Sequence, residues 1–278
     1  VFSFECFAVT HIGNYRVNNE DNFFIGELLT PTQQKSMSQT GIRQIGKRAK
    51  SNTNRLFAVT DGMGGHEQGE AASFIVADSL REFVAENGAC LSSERKEKFE
   101  YVEAFQRMVR RTNQKILEHP NKGNIRRMGA TLSGLFIFCD EAAPINIGDS
   151  STFVIEQNTL EKLTVDNNEM SMLKSIESVA MLPSNGRRLI KYFGLPRENG
   201  VLTATISRPL KLKDEQIFVI ATDGLTDDLS FNEILKIVEE NKNNIEKAAV
   251  KLIESALNKE NGGGDNITVI VLKVHEEK

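Results

Sequence analysis

Asn266-Ile267-Thr268-Val269-Ile270-Val271-Leu272-Lys273-Val274 ends the chain in a run of β-branched residues, the composition of a strand. A strand needs hydrogen-bonding partners. The opening stretch, Phe4-Glu5-Cys6-Phe7-Ala8-Val9-Thr10-His11-Ile12, reads as a second strand with the same need. No linker divides the sequence between them. The reading is therefore one domain over residues 1–278, with its two ends meeting in a sheet.

Inward from these ends, apolar runs bounded by turn residues predict strands at 22–28, 55–60, 130–139, 143–147, 152–156, 159–164, 202–207 and 216–222. Helical periodicity predicts helices at 68–86, 97–117, 169–178, 231–240 and 244–257. Ala72, Ile75, Ser79, Leu80 and Phe83 share a face of the first. Val102, Phe105, Val109 and Ile116 share one in the second, and Ile245, Ala249, Leu252 and Ala256 in the last. Strand runs and helix runs are segregated, which disfavours a doubly wound parallel sheet. The expected class is α+β: two packed, largely antiparallel sheets with paired helices outside. Residues 165–200 form a variable flap region. Residues 31–55 hold Lys35, Arg43, Lys47, Arg48, Lys50 and Arg55 and no acidic residue. That segment reads as a basic insertion, either a solvated surface loop or a mobile flap that meets an acidic or phosphorylated partner.

Of the 278 residues, 40% are apolar and 26% charged, ordinary for a globular chain and wrong for a disordered one. A net charge of −4 argues against nucleic-acid binding through a basic surface. No apolar run approaches the roughly 20 residues of a membrane span, and no signal peptide is visible. The three cysteines, Cys6, Cys90 and Cys139, form no CxxC pair, so a disulfide framework or structural zinc is not expected, and a reducing cytoplasm fits.

Chemistry enters with the acidic residues. Phe57-Ala58-Val59-Thr60-Asp61-Gly62 and Phe218-Val219-Ile220-Ala221-Thr222-Asp223-Gly224 both run apolar strand, threonine, aspartate, glycine. Asp265 precedes the last strand, Asp149 lies between two short strands, and Glu20-Asp21 opens the second strand. Singly, each is turn chemistry. Together, at neighbouring strand ends, they would converge on one edge of the sheets, where crowded carboxylates need protons or a cation. Oxygen ligands without Cys select hard ions, Mg²⁺ or Mn²⁺. Two such ions roughly 3.5–4 Å apart can hold a hydroxide and clamp a phosphoryl group. Gly62, Gly64 and Gly65 allow tight backbone paths in which a carbonyl can become a ligand, and Gly262-Gly263-Gly264 lets Asp265 approach closely. No Gly-Lys-Ser/Thr follows either stretch, which excludes a nucleotide loop. Arg16, four residues before Glu20, offers a planar fork suited to phosphate.

The order of motifs runs Arg16-Val17-Asn18-Asn19-Glu20-Asp21-Asn22, then Asp61-Gly62-Met63-Gly64-Gly65-His66 with Gly69-Glu70-Ala71-Ala72-Ser73, then Met128-Gly129-Ala130-Thr131 and Gly148-Asp149-Ser150. Leu163-Thr164-Val165-Asp166, Asp223-Gly224-Leu225-Thr226-Asp227 and Gly264-Asp265-Asn266-Ile267-Thr268 complete it. This series resembles the metal-dependent protein phosphatases of type 2C, the PPM family, and its Asp-Gly-Met-Gly-Gly-His form resembles the bacterial branch. The resemblance implies a central β-sandwich flanked by helix pairs. It implies two Mn²⁺ or Mg²⁺ ions, with Asp61 bridging them, the Gly62 carbonyl on the first, and Asp223 and Asp265 completing the second. It further implies that Glu20 and Asp21 hold metal-bound waters, that Arg16 takes the substrate phosphate, and that Asp149 with Asp223, assisted by Asp227, forms a third-ion site. Three motifs depart from the family pattern. Met63 stands where the eukaryotic branch has a histidine, Ser151 follows Gly-Asp-Ser in place of arginine, and Asn167-Asn168 replaces His-Ser.

Other phosphatase chemistries fail on residues. A cysteine nucleophile needs Arg six positions on, and here those positions hold Ile12, Lys96 and Ile145. Calcineurin-like enzymes need metal-binding histidines, and only His11, His66, His119 and His275 are available. The expected activity is hydrolysis of phosphoserine and phosphothreonine in proteins, opposing a Ser/Thr kinase, by a monomer that binds neither nucleic acid nor membrane. The competing expectation is a catalytically silent module that binds a phosphoprotein or kinase.

Overall fold

A computed structural model describes residues 1–41, 43–51, 56–64, 67–87, 95–119, 128–175 and 188–277. In chain order the elements are β1 (Phe2–His11), β2 (Asp21–Phe24), α1 (Pro31–Gln39), β3 (Gln44–Ser51), β4 (Leu56–Met63), α2 (Glu67–Asn87) and α3 (Arg95–Glu118). Next come β5 (Gly129–Ala130), β6 (Leu132–Phe138), β7 (Glu141–Ile147), β8 (Ser151–Glu156), β9 (Thr159–Lys162), α4 (Glu169–Ser175) and a 3-10 turn at Arg197–Asn199. The chain closes with β10 (Thr205–Ile206), β11 (Leu210–Lys211), β12 (Ile217–Ala221), α5 (Asp223–Thr226), α6 (Phe231–Glu240), α7 (Ile245–Leu257) and β13 (Ile267–Glu276).

The closing strand finds the opening one. β13 pairs antiparallel with β1, from Phe2↔Glu276 to His11↔Ile267, and with β12 on its other flank. One sheet has the order β3-β1-β13-β12-β8-β9. The other has β10-β7-β6-β4-β2, with β11 on β7 and β5 on β4. The period-2 alternation of strand side chains sorts the core into three layers. Phe57, Leu135, Phe218, Ile270 and Leu272 meet between the sheets. Their strand neighbours Val219, Val269 and Val271 face α6 and α7, where Ile234, Ala249 and Leu252 cover them. Ala58, Leu132 and Phe136 face α2 and α3, covered by Leu80, Phe83, Phe105 and Val109. Each fully buried Phe, Leu or Val of this kind contributes about 1.5–3 kcal/mol. The expected α+β sandwich with outer helix pairs is what forms.

Residues 31–51 correct the loop or flap reading of the basic insertion. Thr30 caps α1 with its side chain on the Gln33 amide, Gln33 returns a bond to the Thr30 amide, and Pro31 supplies a preset first turn. β3 then adds to the edge of the first sheet along β1. Two of the charges the sequence leaves uncompensated find acidic partners elsewhere in the chain. Lys47 reaches Glu27 at 3.1 Å, and Arg48 reaches Glu246 at 2.8 Å and Glu5 at 3.4 Å. Lysine and arginine on an edge strand also discourage pairing with another chain. Arg55 lies outside the described residues. Several expected strands are shorter than predicted: 22–28 contracts to β2, 159–164 to β9 and 202–207 to β10, and 130–139 divides into β5 and β6. Within the flap region, residues 176–187 lie outside the described part, so the predicted helix 169–178 is described only as α4.

Candidate metal centre

Both sheets deliver acidic residues to the same edge. β2 and β4 are neighbours, and their register sets Asp21 opposite Asp61. β12 ends at Ala221 and Asp223 opens α5. Asp265 lies just before β13, the neighbour of β12. Asp149 sits in the turn between β7 and β8, where Gly148 takes a φ of +105°. Glu20 precedes β2, and a Cβ on Gly69 of α2 would collide with its carboxylate.

Local hydrogen bonds fix this edge. The Asp61 amide donates to Thr131 Oγ1 at 3.0 Å, and the Thr131 amide returns to the Asp61 carbonyl at 2.8 Å. The Gly62 amide donates to the Glu20 carbonyl at 3.1 Å. Asn266 ties the loop before β13 to the connection between β1 and β2 at three points. Its Oδ1 accepts the Glu20 amide at 2.7 Å, and its Nδ2 donates to the carbonyls of Ile12 and Asn18, both at 2.9 Å. Asp21 Oδ2 accepts the hydroxyls of Thr268 at 2.7 Å and Thr222 at 2.9 Å, while its buried Oδ1 receives no hydroxyl or amide donor and the carboxyl's remaining hydrogen-bond neighbour is the facing Asp61 carboxyl.

Crowding appears in the acidities. Burial, then the charges of Asp223, Asp21, Asp265 and Asp149, push the Asp61 carboxyl well above its ordinary range. Burial first, then Asp149, Asp265, Asp227 and Asp21, push Asp223 up to about 8. Burial raises Asp21 to about 7, against the hydrogen bond from Thr268 and with the charge of Asp265. Glu20 rises to about 7 through burial, against the pull of Arg16. Asp149 rises to about 6 through burial and then the charge of Asp166. Carboxylates from separate strands therefore sense one another as a single anionic cluster. Arg16 borders it, with Nη2 2.8 Å from Asp265 Oδ2, both side chains about half exposed. Burial works against the Arg16 charge, and Asp265 outweighs it and raises its pKa.

The structure thus brings together Arg16, Glu20, Asp21, Asp61, Gly62, Asp149, Asp223 and Asp265. Hard, partly desolvated oxygens and an Asp21 Oδ1 without a hydroxyl or amide donor suit a divalent cation. Met63 ends β4, and His66 lies outside the described residues. Sequence reasoning missed the supporting groups Thr10, Asn19, Thr222, Asn266 and Thr268. Asn19, Asn266 and Thr268 stand inside the quoted motifs without a role of their own, Thr222 directly precedes Asp223, and Thr10 lies on β1, the neighbour of β13. Elsewhere, Asp214, Glu215 and His275 place ligand atoms within 4.8 Å of one another at the far end of β13. There Lys273 Nζ already neutralises Glu215 at 2.6 Å. Among the described residues no helix is long and apolar enough to cross a membrane.

Comparison with known proteins follows the same lines. The profile of the family Protein phosphatase 2C matches residues 45–258. The serine/threonine phosphatase stp of Listeria welshimeri is 27% identical over 221 residues, covering 78% of this chain and 84% of that protein. Protein phosphatase PhpP of Streptococcus pneumoniae is 27% identical over 231 residues, covering 80% of this chain and 87% of its own. The catalytic domain of the serine/threonine protein phosphatase PstP, solved in complex with two manganese ions, superposes with a TM-score of 0.71. It is 23% identical, with 99% of this chain and 100% of that one covered, a likeness of fold.

Proposed function

The chain belongs to the protein phosphatase 2C family and is a serine/threonine protein phosphatase of that type, and from this premise we propose that its carboxylate edge hydrolyses phosphoserine and phosphothreonine with the help of divalent cations. Asp61, the Gly62 carbonyl, Asp223 and Asp265 would hold a pair of Mn²⁺ or Mg²⁺ ions, and Asp149 beside Asp223 would serve a third. Ions held there would supply activation of water for in-line attack on phosphorus and neutralisation of the phosphoryl oxygens. The chain's own groups do the rest. Arg16, half exposed at the rim, grips the phosphate through its fork. Glu20 and Asp21 orient water through their carboxylates. With Met63 in place of a histidine, solvent protonates the departing serine oxygen, and no covalent enzyme intermediate forms.

One observation carries this reading: carboxylates from separate strands of both sheets share one edge, and one of them keeps a buried oxygen with no hydroxyl or amide donor. The silent-module reading would leave the ligand set free to drift, yet every member is present. We extend the proposal to a single catalytic domain over residues 1–278, supported by the pairing of β1 with β13, and to a monomer opposed by a Ser/Thr kinase. A reducing cytoplasm suits the buried, free thiol of Cys6. Turnover of p-nitrophenyl phosphate and of a phosphothreonine peptide, with Mn²⁺ and with EDTA, tests the reading. Hydrolysis in Mn²⁺ that EDTA abolishes is expected, and equal rates in both would reject it.

A further inference from the structure

The hydroxyls around Asp21 all point one way. Asp21 is 1% exposed at the head of β2, and its Oδ2 takes the protons of Thr268 and Thr222. A hydroxyl has one proton to give. Thr268 has given its proton to Asp21, so in its 2.7 Å contact with Thr10 Oγ1 the donor is Thr10. Thr10 Oγ1 in turn accepts from Asn19 Nδ2 at 2.8 Å. The Thr222 oxygen accepts the Thr268 amide at 3.0 Å, and Asn19 Oδ1 accepts the Asp21 amide at 3.2 Å. Donors therefore run Asn19 to Thr10 to Thr268 to Asp21, each link polarising the next.

These threonines are costly unless used. Thr10, Thr222 and Thr268 are all 0% exposed, and a buried hydroxyl is unfavourable without a partner. Valine would fill the same volume. Thr60 shows that the network is not automatic. It precedes Asp61 as Thr222 precedes Asp223, yet its buried Oγ1 has no partner. The donors converge on Oδ2 alone and leave Oδ1 bare.

We propose that Thr268, Thr222 and Thr10 are positioning residues that tether Asp21 Oδ2 and turn Oδ1 as a single, directed acceptor toward the cation centre. The proposal rests on the cation centre proposed above. Without the tether the carboxylate is free to rotate away from the edge it shares with Asp61 across the strand pair. Cation binding then weakens although no ligand has been removed.

Calorimetric titration with Mn²⁺, in the absence of substrate, tests this on the full chain. Thr268→Val is expected to bind about 10–100-fold more weakly, and Thr268→Ser to stay close to wild type. A packing role predicts the reverse order, because valine keeps the threonine shape and serine loses its methyl group. Should Thr268→Val not fold, Thr10→Val against Thr10→Ser carries the same comparison one link further back. Asp61→Asn separates the two levels of the account. Wild-type Mn²⁺ binding in Asp61→Asn overturns the cation centre itself. Loss there, with wild-type binding in Thr268→Val, overturns the positioning role alone.

Discussion

Asp61 and Asp223 end strands with the same text, apolar residues then Thr-Asp-Gly, and leave their sheets differently. β4 continues past Asp61, because Gly62 and Met63 find new partners in Ala130 and Gly129 of β5. β12 stops at Ala221, and the chain coils at once into α5. A Cβ on Gly62 would overlap the carbonyl oxygens of Gly69 and Glu20, whereas one on Gly224 would overlap that of Asn266. Thr222 gives its hydroxyl to Asp21, and Thr60 gives its own to nothing. The shared pattern brings a carboxylate to a sheet edge. What holds it there comes from other strands. Asp61, locked in the ladder opposite Asp21 and sensing Asp223, Asp265 and Asp149, occupies the middle of the cluster. Asp223, apart from its burial, senses Asp149 most, then Asp265 and Asp227.

The two aspartates should therefore differ in weight. Asp61→Asn is expected to lose phosphatase turnover by more than about 10³-fold, beyond the loss of one electrostatic donor, with Asp223→Asn losing less. Equal losses measured with p-nitrophenyl phosphate would remove the distinction. Arg16 joins the comparison through Asp265, the third strand end. Arg16→Ala should cost about 1.5–3 kcal/mol in kcat/KM for a phosphopeptide and leave Mn²⁺ affinity undiminished. Lost Mn²⁺ binding in calorimetry would contradict a phosphate role. The glycines sharpen the contrast in stability. Gly62→Ala meets two carbonyls and should cost more than Gly224→Ala, both on the order of 1–3 kcal/mol in urea melts.

Acidity offers a test that changes no residue. Asp61, Asp223, Asp21, Glu20 and Asp149 keep protons in the folded chain that the unfolded chain has released. Between about pH 4, the ordinary carboxylate range, and the value of about 8 at Asp223, the folded state binds more protons. Stability then falls as pH rises through that window. In EDTA the melting temperature should drop from pH 5 to pH 8, and Mn²⁺, taking the place of the protons, should cancel the drop. A rise in EDTA over the same range would mean that the carboxylates are not crowded. The smallest effect belongs to the basic edge of β3. Replacing Lys47, Arg48 and Lys50 with Ser removes the surface ion pairs of Lys47 and Arg48, each worth about 0.2–1 kcal/mol. Turnover of acidic phosphopeptides and of p-nitrophenyl phosphate should be unchanged. A selective loss on the peptides would restore a substrate-binding role for this segment.

What could be read from the sequence followed from local chemistry. The β-branched runs, the amphipathic stripes of α2, α3 and α7 and the two Thr-Asp-Gly ends need no distant partner to be recognised. β3 escaped because an edge strand buries one face only, and its inward positions, Ile45 and Ala49, are modest. α1 carried a readable start in Thr30-Pro31 and Gln33, hidden by a polar body. Asn266 and Thr268 could not be assigned support roles, because Glu20 and Asp21 lie more than 240 positions away in the chain.

The central claim is that one sheet edge holds two cations bridged by Asp61. Anomalous difference maps collected at the manganese edge from Mn²⁺-soaked crystals test it most directly. The account predicts two peaks about 3.5–4 Å apart, both within ligand distance of Asp61, with the Gly62 carbonyl on one and Asp223 and Asp265 on the other. No peak at Asp61, or manganese confined to Asp214, Glu215 and His275, would contradict it.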